Sequence, residues 1–152
     1  MDLHELRNCF SIIPQTPLIC PGSIRTNLDP FNLFSEDQIW ASLEHANLTE
    51  AIQRLTSGLD TEISLNQEVF SMGERQLLCL ARAILKKEKI LIMDEATSNI
   101  DSATDSAIQE IVNREFSGKT VIVVAHRILT IADCDQIIVM ESGEIKEIGS
   151  PR

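Results

Sequence analysis

The fold of this chain is decided by Ile90-Leu91-Ile92-Met93-Asp94-Glu95-Ala96-Thr97, in which four apolar residues run directly into two carboxylates. Four consecutive apolar residues favour a strand that is buried on both faces of a parallel sheet. Open α/β sheets bind their ligands at the carboxyl ends of the strands. The sequence therefore predicts that Asp94 and Glu95 emerge at a ligand-binding edge.

Two helices and a second strand flank this segment and predict a parallel βαβ unit. Ser71 begins a helix that ends near residue 87, and a further helix begins at about Ser102. Val121–Ala125 is a second apolar strand, and the order strand, helix, strand is typical of parallel pairing. The helix residues expected to face the core are Leu77, Leu80, Ala81, Ile84, Leu85, Ala107, Ile108, Ile111 and Val112.

A helical region is expected ahead of the Ile90 strand. Ser35 and Gln38 form a capping box, which predicts a helix over about 35–47. A short helical stretch follows, and the helix at Ser71 completes a helical subdomain over about 35–85. Outside this region, Phe10–Pro14 predicts a strand that opens into a loop.

Two further local patterns mark the ends of the chain. Gln15 follows the Phe10–Pro14 strand directly and is therefore a candidate for the same ligand-binding edge. Near the other end, residues 136–141 and 144–148 flank Ser142-Gly143, which predicts a closing hairpin.

Composition limits the class of protein. At 152 residues and 43% hydrophobic content, the chain is long enough for one domain with a core. Its formal charge of −10 opposes binding of nucleic acid or anionic lipid through a general basic field. The cysteines form no Cys-x-x-Cys pair and no signal peptide is evident, which favours a reduced cytosolic setting. No apolar run approaches the roughly 18 residues that cross a bilayer, so membrane association would come through a partner or through further sequence.

The residues at the predicted edge suit phosphate chemistry. A strand that ends in an acidic residue is also common where a strand simply leads into a helix cap. Here the second carboxylate favours catalysis, because Asp94 can hold Mg²⁺ while Glu95 polarises a water. His126 follows the Val121–Ala125 strand and reaches the same edge. A lone histidine is usually structural, yet at this edge an imidazole can donate to a γ-phosphate or position water.

The helix that begins at Ser71 is a second candidate site. Ser71 and Glu74 form a capping box, which by itself indicates only a well-capped helix. With Gly73 in the first turn, the helix also presents free N–H groups, and its positive dipole end attracts phosphate.

A phosphate loop of the form Gly-x-x-x-x-Gly-Lys-Ser/Thr is absent from these residues. Gly118-Lys119-Thr120 resembles the end of one, but the first glycine of the motif would fall at Asn113. This segment also precedes a strand, whereas a phosphate loop follows a strand and opens a helix. We interpret it as a turn.

Taken in order, several of these segments resemble the nucleotide-binding domain of ATP-binding cassette (ABC) transporters. They are Gln15, Phe70–Gln76, Ile90–Glu95, Ser98–Asp101 and His126. Ile13–Pro17, Gly22–Pro30 and Gln76–Ala83 look like subfamily C, the multidrug-resistance-associated proteins, and Glu95 is similar to their C-terminal cassette. The resemblance implies an α/β fold over residues 1–152, an incomplete P-loop NTPase-type ABC ATPase domain with a helical signature subdomain.

The resemblance implies a role for each matching residue at the hydrolysis site. Gln15 matches the Q-loop glutamine, which touches Mg²⁺ and couples to the membrane domains. Asp94 matches the Walker B aspartate, which holds Mg²⁺, and Glu95 matches the general base. His126 matches the switch histidine, and Ser98–Asp101 matches the D-loop, which communicates across the cassette dimer.

The chain matches the signature motif of the family at some positions and departs from it at others. Ser71 and Gly73 match the residues that contact ATP bound to the opposite cassette, but Phe70 replaces Leu, Met72 replaces Gly and Glu74 replaces Gln. A carboxylate in the first helical turn suits the dipole in the absence of ligand, yet it repels a nearby phosphate. We therefore expect weak or altered contact with the opposite ATP.

The implied assembly is an exporter that uses ATP and Mg²⁺, with a second nucleotide-binding domain and transmembrane domains as partners at the cytoplasmic face of a membrane. We expect the phosphate loop to lie upstream of Met1 and the isolated chain to be inactive. Two alternatives stay open: a non-enzymatic module that docks on a complete cassette, and an inert truncated fragment. A DEAD-box-like helicase is disfavoured, because its similarity is confined to residues 94–97 and the chain is acidic.

Overall fold

The structure, a computed structural model, describes residues 2, 9–64, 69–96, 100–125 and 131–151. In chain order the described residues form β1 (Phe10–Ile13), β2 (Gly22–Ser23), α1 (Ile24–Leu28), α2 (Glu36–His45), α3 (Thr49–Gln53), a 3-10 turn (Gly58–Asp60), β3 (Glu62–Ile63), α4 (Met72–Lys86), β4 (Ile90–Asp94), α5 (Ser102–Glu115), β5 (Thr120–Val124), β6 (Ile137–Glu141) and β7 (Glu144–Gly149).

The central sheet is parallel and has the order β1-β4-β5. Ile13 pairs with Met93, which pairs in turn with Val123. The predicted βαβ unit is confirmed, since α5 connects the parallel strands β4 and β5. All three strands therefore end at one edge of the sheet, where Asp94 is the last residue of β4.

The sheet is covered on one face only by the described residues. Leu91 and Met93 of β4 are buried and join the hydrophobic core, whereas Ile92 is half-buried. On the face of Ile92, Ile12 and Ile122 are 55% and 49% exposed. The expected burial of β4 is therefore confirmed on one face and only partial on the other in the described chain, because alternate side chains point to opposite faces and the core packs against one of them.

The helices begin where side-chain caps predict. Ser35 and Ser71 each form a reciprocal capping box, with Gln38 and Glu74 respectively, ahead of α2 and α4. The predicted inward face of α4 is too narrow, because this helix packs against β1, α1, α2 and α5. Its buried residues are Gly73, Gln76, Leu77, Leu78, Cys79, Leu80, Ala81, Ala83 and Leu85.

The predicted hairpin is confirmed as β6 and β7. Ser142 and Gly143 have φ angles of 52° and 82°. Two successive positive φ values are typical of the type I′ turn that joins antiparallel strands. Among the described helices, none has the length and apolar character that crossing a membrane requires.

Candidate functional site

The carboxyl edge of the sheet brings together two of the predicted site residues. Gln15 lies two residues after β1, and Glu95 directly follows β4. The side-chain amide Nε2 of Gln15 donates a hydrogen bond of 3.1 Å to Oε2 of Glu95, across 80 residues of sequence. Asp94, next to Glu95, has an exposed side chain. An amide and two carboxylates thus share one edge.

The backbone of Glu95 is unusual. Its φ of 45° lies in the left-handed region, which few residues other than glycine adopt. Its N–H donates to the carbonyl of Val124 at 2.8 Å, so pairing with the β5 strand extends one residue beyond β4. Uncommon backbone conformations of this kind are concentrated at functional sites, where the surrounding structure holds them in place.

Gln76 of α4 holds the loop that carries Gln15. Its Nε2 donates to the carbonyl oxygens of Pro14 and Gln15, each at 3.1 Å, and its side chain is only 2% exposed. The motifs in the sequence did not predict a role for Gln76 at this edge. The available signal was a glutamine inside an apolar helical pattern, because a polar side chain in a buried position needs hydrogen-bond partners.

The start of α4 combines a cap with close packing. Ser71 Oγ accepts from the N–H of Glu74 at 3.2 Å, and Glu74 Oε2 accepts from the N–H of Ser71 at 2.8 Å. Gly73 is buried against α5, and a Cβ at this position would lie 2.7 Å from Cγ2 of Thr104. Gly73 therefore has a packing role that the motif alone did not indicate.

The carboxylate of Glu74 has a second partner. Its Oε1 lies 3.6 Å from Nη2 of Arg54, the residue that follows α3 and caps its carboxyl end. The negative charge that the sequence placed at the start of α4 is therefore next to a positive charge contributed by another helix.

Asp101 caps α5. Its carboxylate accepts hydrogen bonds from the N–H groups of Ala103 and Thr104 and from the hydroxyl of Thr104. The backbone hydrogen bond from Thr104 and the bond from its hydroxyl lower the pKa of Asp101 below its usual value. The aspartate of the predicted D-loop is thus held in position by the helix that also contacts Gly73. Two other predicted site positions, His126 and the start of the D-loop at Ser98, lie outside the described residues.

The chemistry of this edge fits a magnesium ion that is held partly by phosphate oxygens. No group of three or more His, Cys, Asp and Glu side chains that could hold a metal occurs among the described residues. Mg²⁺ in nucleotide sites typically takes one or two carboxylates and completes its shell with water and phosphates. Asp94, whose exposed carboxylate stands at the same edge as the side chain of Gln15, matches that limited donor set.

The site combines a parallel sheet that has carboxylates at its carboxyl edge with a capped helix that packs beside it. Comparison with known proteins identifies the family that has this arrangement. The ABC transporter family model matches residues 1–98, and the chain belongs to this family. The resemblance to this family is thereby confirmed.

Relatives with about half of their aligned residues identical to this chain belong to subfamily C. ATP-binding cassette sub-family C member 2 of Rattus norvegicus is 50% identical over 151 residues, 99% of this chain and 10% of the relative. Sub-family C member 4 of Mus musculus is 49% identical over 151 residues, 99% of this chain and 11% of the relative. ABC transporter C family member 7 of Arabidopsis thaliana is 46% identical over 151 residues, 99% of this chain and 10% of the relative. The chain thus spans about a tenth of the length of these curated relatives.

Proposed function

We propose that this chain is a portion of the nucleotide-binding domain of a subfamily C exporter, in which ATP binding and hydrolysis drive transport across a membrane. The observation that carries the proposal is the 3.1 Å hydrogen bond between Gln15 and Glu95 at the carboxyl edge of the parallel sheet. This bond joins the loop that follows β1 to the carboxylate that follows β4, the neighbouring strand in the sheet. It lies at the edge where α/β sheets bind ligands.

Each residue at the edge has a proposed task. Asp94 and Gln15 supply oxygen atoms to Mg²⁺, which when bound offsets the charge of the γ-phosphate. Glu95 orients the attacking water and accepts its proton. His126, which follows the β5 strand, donates to the γ-phosphate.

The residues at the start of α4 indicate which partners the chain would have. Ser71, Gly73 and Glu74 contact ATP that is bound to the opposite cassette, and Asp101 takes part in communication between the two cassettes. The chain then works with a second nucleotide-binding domain and with transmembrane domains, at the cytoplasmic face of a membrane.

The 152 residues alone are proposed to be inactive. Their sequence contains no Gly-x-x-x-x-Gly-Lys-Ser/Thr, the loop whose backbone N–H groups and lysine hold the phosphates. The chain by itself is therefore expected neither to bind MgATP in its own site with useful affinity nor to hydrolyse it.

Calorimetric titration of MgATP tests this proposal. We expect no saturable binding to the chain alone, and tighter binding to its mixture with a complete partner cassette than to the partner alone. Saturable binding by the isolated chain, or turnover that Glu95→Gln abolishes, would contradict the proposed inactivity. If the chain instead changes the turnover of the partner without changing its nucleotide affinity, the docking module is the better description.

A further inference from the structure

The signature helix α4 carries a glutamate where the family motif has glutamine, and the structure pairs this glutamate with an arginine. Glu74 lies 3.6 Å from Arg54, measured from Oε1 to Nη2. Arg54 is fixed at a second point, since its Nε donates to the carbonyl of Glu50 at 3.3 Å. The guanidinium thus contacts both the carbonyl of Glu50 and the carboxylate at the start of α4.

We infer that Arg54, which follows α3, is a positioning residue for the signature helix: it offsets the charge of Glu74 and so allows this helix end to accept the phosphates of a nucleotide bound to the opposite cassette. This inference rests on the proposed function.

Charge and exposure support this role. A helix start attracts phosphate through its N–H groups and dipole, and a carboxylate in the first turn opposes that attraction. The guanidinium brings the net charge of the pair to zero. The side chain of Arg54 is 73% exposed and that of Glu74 is 30% exposed, so the more buried carboxylate is the charge that most needs to be offset at this helix start.

The competing explanation is an ordinary exposed ion pair that only joins α3 to α4. Such pairs contribute little to stability and are screened by salt. The two explanations differ in whether the effect of Arg54 on nucleotide affinity requires Glu74. If Arg54 acts by offsetting charge, its effect on nucleotide affinity should disappear when the carboxylate is removed.

A double-mutant cycle measures this dependence. The chain, its variants Arg54→Gln and Glu74→Gln, and the double variant are each mixed with a complete partner cassette, and the MgATP affinity of each mixture is measured. When position 74 is Glu, we expect Arg54→Gln to weaken MgATP binding about tenfold. When position 74 is Gln, we expect the same substitution to weaken binding less than about twofold. The difference between the two effects is in the usual range for interacting sites. Raising the salt concentration should reduce the first effect.

A matched arginine provides the control. Arg25 forms exposed ion pairs with Asp60 and Glu36 at 3.1 and 3.4 Å, outside the signature helix. We expect Arg25→Gln to leave the nucleotide affinity unchanged. Equal effects of Arg54→Gln in both backgrounds, or no effect in either, would overturn the inference while leaving the proposed function in place. If the unmodified chain adds no affinity to the partner cassette, the proposed function itself is wrong and the inference fails with it.

Discussion

Replacement of Gln76 by Glu is expected to lower the free energy of unfolding at neutral pH by about 3–5 kcal/mol, the range for an uncompensated buried charge. Gln76 is 2% exposed, and its amide donates to the carbonyl oxygens of Pro14 and Gln15. A carboxylate here would face both oxygens without a proton to donate. Among the described residues no donor reaches Oε1 of Gln76, so the new charge would have no hydrogen bond at that atom either.

Denaturant unfolding with a matched variant isolates this effect. Gln38→Glu makes the same chemical change at an exposed capping position, where the side chain only accepts from the N–H of Ser35 at 2.9 Å. Glutamate serves equally well there, so we expect a change within about 0.5 kcal/mol. Equal unfolding midpoints for the two variants at pH 7 would contradict the assigned hydrogen bonds of Gln76.

The cost of Gln76→Glu should also depend on pH. Burial raises the pKa of the introduced carboxyl in the folded state above its unfolded value of about 4.3. The folded state then binds the proton more tightly, so the charge penalty is absent below that unfolded pKa and grows as the pH rises towards the folded pKa. The difference between the Gln76 and Gln38 variants should therefore shrink as the pH falls towards 4.

Replacement of Gly73 by Ala is expected to destabilise the chain by about 1–3 kcal/mol, the usual cost of overpacking. In an exposed helix this change would stabilise by about 1 kcal/mol. Here the added Cβ would lie 2.7 Å from Cγ2 of Thr104. Thr104 cannot rotate away without loss, because its hydroxyl donates to Asp101 at 2.7 Å. The clash therefore outweighs the gain in helix propensity.

Thr104→Ser provides the rescue, since it removes the methyl group and keeps the hydroxyl. We expect Gly73→Ala to cost less beside Ser at position 104 than beside Thr, by about 1 kcal/mol in thermal or denaturant unfolding. The same cost in both backgrounds would show that the packing between Gly73 and Thr104 is not the cause.

Features that depend on neighbouring residues could be predicted from the sequence. Both capping boxes follow from side chains three positions apart, at Ser35 and at Ser71. The β6–β7 hairpin follows from Ser142-Gly143, and β4 follows from four successive apolar residues. These elements are set by local hydrogen bonds and by residue type, which a sequence states directly.

Strand order placed Gln15 and Glu95 at one edge across 80 positions, but the contacts that the helices make with distant residues could not be predicted. Gln76 reaches Pro14 across 62 positions, and Arg54 reaches Glu74 from another helix. No spacing rule connects such residues, because their proximity depends on how the helices pack. The burial of β4 is complete on only one face for a related reason: an apolar run indicates that both faces suit a core, but not which elements cover them.

We propose that the start of α4 contacts a nucleotide bound to another cassette. This contact is tested by the MgATP affinity of the chain mixed with a complete partner cassette, compared between Ser71→Ala and Ser35→Ala. Each variant removes the serine of an exposed capping box and costs a similar amount of stability, about 1 kcal/mol. We predict that Ser71→Ala weakens nucleotide binding at least about tenfold, a coupling of ordinary size, and that Ser35→Ala leaves it unchanged. Equal affinities for the two variants would contradict the account.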